Sequence, residues 1–108
     1  MPNLKTVNLG NLAADGSTPG KQISGTHRNN TGSVNVRVNG TFGGGILTLE
    51  GSLDDVNYYP LGANAVLSAS GGAELRLVEG EYLRATMAGA VAPNVDPVVV
   101  LPGTAQNN

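Results

Sequence analysis

The stretch SVNVRVNGTF (33–42) alternates apolar and polar side chains without a break, setting Val34, Val36 and Val38 against Asn35, Arg37 and Asn39. A helix would scatter these valines around its axis, whereas an extended chain sends them all to one face. The same period recurs downstream. GILTLEGS (45–52) opposes Leu47 and Leu49 to Thr48 and Glu50, and GGAELRLVEG (71–80) opposes Leu75 and Leu77 to Glu74 and Arg76. EGEYLRATMAG (79–89) opposes Leu83, Ala85 and Met87 to Tyr82, Arg84 and Thr86. VNYYPLG (56–62) reads as a short strand ending at Pro60, AVLSAS (65–70) as a weaker one and DPVVVLPG (96–103) as the last. The three adjacent valines of that last segment predict burial on both faces or a contact with another copy. Glycines separate the segments, and in GTFGGG (40–45) their tolerance of positive φ permits a tight connection. Short strands with turn signals every ~8–12 residues predict one all-β domain, an antiparallel β-sandwich or barrel of about seven to nine strands over residues 33–102. No helical stripe competes: LAADG is too short to nucleate a helix alone, and Gly80 interrupts the helix formers of 73–88.

Residues 1–32 differ, being rich in Asn, Gly, Ser and Thr. LKTVNL and KQIS either pair with the main sheets as edge strands or belong to an extended arm that orders on a neighbouring subunit. In the second case deletion of residues 1–20 leaves the β-fold intact. Residues 103–108 read as a frayed tail.

The core is light. Phe42, Tyr58, Tyr59 and Tyr82 are the only aromatic residues, so Val, Leu, Ile and Ala do the packing and association adds to stability. Charged residues make up 13% of the chain and the net charge is -2. The six basic residues are spread along the sequence, which argues against nucleic acid, where clustered Lys and Arg are needed to displace counterions. A weakly charged surface suits lasting contact with other protein. The absence of cysteine removes disulfides, thiolate metal sites and cysteine nucleophiles. No basic and apolar leader is visible, and no apolar run approaches the ~20 residues that cross a bilayer. A soluble chain made in the cytoplasm is expected.

EGSLDDVNYYPLG (50–62) is the richest candidate site. Asp54, Asp55 and Asn57 offer hard oxygen ligands, but not at the alternate spacing of a calcium loop. Tyrosines beside amide and carboxylate groups suit a carbohydrate ring, and Ser52-x-Asp54 followed by an aromatic resembles the Asp-box turn of carbohydrate-active β folds. The preferred reading is a turn: Asp54 and Asp55 accept local backbone N–H groups, and alternation sends one of Tyr58 and Tyr59 inward and the other to the surface. His27 has no second histidine or cysteine to share a metal and reads as a solvated loop residue. Glu79 and Glu81 flank Gly80, share a strand face on this reading, and are solvated. No G-x-S-x-G elbow or phosphate cradle occurs. Neither an enzyme, nor a cofactor, nor a metal is expected.

VNVRVNGTFGGGILTLEGSLDDVNYYPLG, followed by the Gly-x-Tyr-Leu-Arg strand of GGAELRLVEGEYLRATMAGA, resembles the small all-β virion proteins of tailed bacteriophages, particularly head decoration or cement proteins, over residues 33–101. The resemblance implies a protein made in the host cytoplasm and resident in the virion. It also implies binding to an assembled lattice of major capsid protein, or to another virion protein, as a homo-oligomer, most often a trimer. A neck, tail or fibre component, or a carbohydrate-binding β module, shares these features. The residues expected at the interface are Arg28, Asn29, Asn30, Tyr58, Tyr59, Val98 and Val100.

Overall fold

The computed structural model describes residues 5–24 and 33–101. The alternating segments form β-strands: β1 (Lys5–Asn8), β2 (Gly16–Ser17), β3 (Lys21–Gln22), β4 (Ser33–Thr41), β5 (Ile46–Ser52), β6 (Tyr59–Pro60), β7 (Val66–Leu67), β8 (Gly71–Arg76), β9 (Tyr82–Ala88) and β10 (Asn94–Leu101). A single 3-10 turn, Ala63–Ala65, is the only helical element among the described residues. One sheet runs β1-β10-β4-β8. The other is centred on β9 and β5, with β2 and β3 in succession along the outer side of β9 and β6 and β7 along that of β5. All pairings are antiparallel, as in a β-sandwich. The strands exceed the expected number because both edges of the second sheet are built from two-residue pieces.

The predicted faces are the observed ones. Val34, Val36, Val38, Val95 and Val99 of the first sheet and Leu47, Leu49, Leu83, Ala85 and Met87 of the second are buried in one core. Each such Val or Leu contributes about 1.5–3 kcal/mol. Of the three adjacent valines only Val99 is buried. Val98 and Val100 lie half-buried on the outer face, opposite Arg37 and Asn35, so burial on both faces is not completed within the described residues.

Pro97 occupies an interior strand, where a missing N–H normally breaks a ladder. Val95 exchanges both backbone hydrogen bonds with Leu12, and Leu9 N–H donates to the Pro97 carbonyl. Odd-numbered residues of β10 therefore direct their amides to the N-terminal segment. The long ladder with β4 uses the even-numbered residues and loses nothing.

The described part of the N-terminal segment threads along both sheets. β1 pairs with β10, β2 and β3 pair with β9, and Leu9, Leu12 and Ile23 are buried. Arg28, Asn29, Asn30 and His27 lie outside the described residues, as do residues 102–108.

Several termini and turns meet at one end of the sandwich. There Lys5 faces Leu101, Asn35 faces Val100 and Ser33 faces Arg76 in the first sheet. In the second, Ser52 faces Tyr82, which faces Gln22. Turn 53–57 and loop 77–81 close this end.

Candidate functional site

Turn 53–57 is built by two side chains. Ser52 Oγ accepts the N–H groups of Asp54 (3.2 Å) and Asp55 (2.9 Å) and donates to Asp54 Oδ1 at 2.9 Å. Asp54 Oδ1 also accepts from the N–H groups of Val56 and Asn57, and Oδ2 from Asn57 Nδ2, each at 2.9 Å. These bonds favour the ionised form. The Asn57 and Val56 N–H groups, then the side chains of Asn57 and Ser52, hold the Asp54 carboxyl well below the usual carboxylate range. Asp55 sits in the left-handed region at φ 63, a conformation Asp tolerates better than most residues. Its carboxylate accepts the Tyr58 hydroxyl, not the backbone N–H expected of it.

The two tyrosines turn to different partners, and neither ring enters the apolar core, in contrast to the inward packing expected of one. Tyr58 lies on the outer face of the second sheet, with the Arg84 guanidinium 3.9 Å from its ring centroid. Gly20 passes so close that a Cβ there would overlap the Tyr58 hydroxyl. Burial, followed by the bond to Asp55, pushes the Tyr58 phenol up to about 12. Tyr59 reaches instead to the end of the sandwich, where its hydroxyl donates to Glu81 Oε2. That bond, followed by burial, pushes Tyr59 up to about 12 as well. A phenol leaving water needs an acceptor. The acceptors here lie at the rim, so the rings stay there.

Glu81 is 4% exposed and not the solvated acid expected. Its Oε1 accepts the Val78 N–H at 2.9 Å while Oε2 takes Tyr59. Gly51 leaves room for this pair, because a Cβ at that position would lie 2.7 Å from Glu81 Oε2 and 3.2 Å from the Tyr59 ring. Glu79 is exposed beside Gly80 in a turn, so the two acids do not share a strand face.

From Tyr58 a polar chain runs across the second sheet. Arg84 Nε donates to Glu50 Oε1 at 2.7 Å, Thr86 Oγ1 donates to the same oxygen at 2.8 Å, and the Ser17 and Thr86 hydroxyls are bonded at 2.8 Å. Around the tyrosine turn the apolar side chains of Leu53, Val56 and Val78 remain exposed. The carboxylates of Glu50, Asp54, Asp55 and Glu81 all accept internal hydrogen bonds. Among the described residues no group of three or more His, Cys, Asp or Glu is placed to hold a metal. An open cleft of about 410 Å³, lined by Ser33, Leu61, Asn64, Glu74, Leu75 and Arg76, lies against β8.

The expected interface residues are divided. Tyr58 and Tyr59 sit at the turn, whereas Val98 and Val100 lie on the outer face of the opposite sheet. Glu81, read from the sequence as a solvated acid, completes the tyrosine site together with Arg84, Gly51 and Gly20, to which the sequence assigned no part in it. Of these, only Arg84 carries a sequence signal, as a charge opposite to that of Glu50 on the outward face of another alternating segment. No protein-family model matches the chain, and no curated protein matches it.

Proposed function

We propose that the chain is a structural component of a tailed-phage virion that docks on an assembled protein shell and stabilises it, as a decoration or cement protein does. The supporting observation is the apolar end of the sandwich. Leu53, Val56 and Val78 are 69%, 76% and 60% exposed next to backbone pinned by Ser52, Asp54 and Glu81. Exposed apolar side chains mark interaction sites, and pinned turns lose little conformational freedom on docking. The low net charge fits a protein partner, the major capsid protein first among them. Arg28, Asn29 and Asn30 belong to this proposal on sequence grounds alone. Synthesis in the host cytoplasm and residence in the virion follow from the same reading. No helix among the described residues is long and apolar enough to cross a membrane.

A carbohydrate-binding module is the second reading, and it rests on Tyr59, a residue that keeps 38% exposure. Its weakness is Tyr58, which has one face covered by Arg84 and offers no free stacking platform.

Co-sedimentation with shells assembled from the major capsid protein of the same genome tests the proposal. The chain is expected to pellet with shells. The triple variant Leu53→Ser, Val56→Ser, Val78→Ser should lose about tenfold in affinity with an unchanged Tm. A chain that ignores shells and binds immobilised glycans establishes the module reading instead.

A further inference from the structure

β8 is an outer strand of the first sheet: it pairs with β4 on one side, and among the described residues no strand pairs with it on the other. Parity identifies the backbone groups on that open side. Gly40 N–H donates to Ser70 Oγ, and that hydroxyl donates back to the Gly40 carbonyl. Even-numbered residues of β4 therefore direct their amides towards β8. Their partners Gly71, Ala73 and Leu75 use their own amides on β4. Gly72, Glu74 and Arg76 are left with N–H and C=O groups pointing away from the sheet.

Sheet edges normally carry a proline, a lysine or a bulge that blocks further pairing. The sequence GGAELR of β8 has neither proline nor lysine, and its register with β4 runs without a bulge. The opposite edge, β1, is four residues long and contains Lys5. The turn Ala63–Ala65 packs against β8, but an open cleft with Leu61 and Asn64 on its far wall lies beside Glu74, Leu75 and Arg76.

We propose that β8 is a self-pairing edge. Two copies join antiparallel across a twofold axis at Leu75, with Glu74 of each opposite the partner's Arg76, and the two four-stranded sheets fuse into one. The register follows from charge. A twofold ladder must set outward-facing residues opposite one another. An axis at Glu74 brings two glutamates together, and an axis at Arg76 brings two arginines together. Like charges directly opposite destabilise a ladder, whereas opposite charges stabilise it. Only an axis at Leu75 pairs Glu74 with the partner's Arg76, and it does so twice. Glu74 and Arg76 are exposed while Leu75 is buried in its own core, so the charged pairs of this axis lie on the outer face of the joined ladder. The contact is twofold and so differs from the trimer that the family resemblance implies. It does not depend on the shell-docking role, which uses turn 53–57.

Sedimentation velocity of the full chain from about 1 to 200 µM tests the edge, a range in which specific dimers of ordinary affinity dissociate. The wild type is expected to dimerise. Glu74→Arg and Arg76→Glu each place like charges opposite one another and should weaken the dimer at least ~10-fold. The double variant Glu74→Arg, Arg76→Glu restores both pairs and should return to within about threefold of wild type. Circular dichroism checks the fold of each. Should a charge reversal fail to fold, Glu74→Gln serves in its place, with intermediate weakening expected. A wild type that stays monomeric, or a dimer indifferent to these substitutions, overturns the proposal.

Discussion

Ser52 illustrates how much of the turn depends on one hydroxyl. It is fully buried and serves the N–H groups of Asp54 and Asp55. Ser52→Ala leaves both without that acceptor, so a loss of about 1–3 kcal/mol is expected from denaturant unfolding. Tyr58 and Tyr59 allow a test that is specific to their bonds. Both phenols are raised from 10.0 to about 12, so the native state holds these protons more tightly than the unfolded chain does. The stability they confer is complete below pH ~10 and is lost as pH rises through about 12. The tyrosinate absorbance of the native protein should therefore carry a late component that Tyr58→Phe and Tyr59→Phe each reduce. A tyrosinate signal complete before pH 11 in the folded protein would remove the Asp55 and Glu81 bonds from the account. Asp54 acts in the opposite direction. Its depressed value means that its contribution is present above the ordinary carboxylate range and is lost on acidification through its folded value.

At the scale of elements, the faces of β4, β5, β8 and β9 were legible because a buried face imposes a period of two on the sequence. The same rule misplaced the tyrosines. Where a strand ends and a turn begins, side-chain direction follows local hydrogen bonds, here those of Asp55 and Glu81, and the period lapses. The partnership of Tyr59 with Glu81 spans 22 residues and leaves no local trace. The N-terminal segment was ambiguous for a related reason. Its strands have two to four residues, too few to display alternation, while its buried Leu9 and Leu12 stand outside any strand, with no period-two pattern joining them. The structure changes the outcome expected of truncation. Deleting residues 1–20 removes β1, β2 and both buried leucines, worth roughly 3–6 kcal/mol from apolar burial alone. That is comparable to the whole stability of an ordinary domain. The truncated chain is expected to lose its cooperative thermal transition. Retention of a transition within a few degrees of wild type would assign the segment to an arm after all.

For the molecule as a whole, the order of synthesis and the order of the sheet conflict. β10 is the last of the described strands to be made, yet it lies inside the first sheet, between β1 and β4. Until residues 94–101 emerge, β1 has no strand partner among the described residues and β4 has one only in β8. The second sheet needs nothing from β10, since β5 and β9 pair directly, but its inner leucines have half a core to pack against. A chain ending at residue 93 should therefore retain β-structure in the far ultraviolet while lacking a cooperative melt, and should bind a dye that reports exposed apolar surface. Supplying residues 94–108 as a separate peptide should restore the melt, because an extended peptide can complete a sheet through its backbone while Val95 and Val99 fill the core. The Val95→Ser, Val99→Ser peptide keeps the backbone ladder but not the side chains that enter the core, and it should fail. Rescue by both peptides alike would mean that the ladder alone closes the sandwich, and a cooperative melt without any peptide would show that β10 is dispensable to the fold.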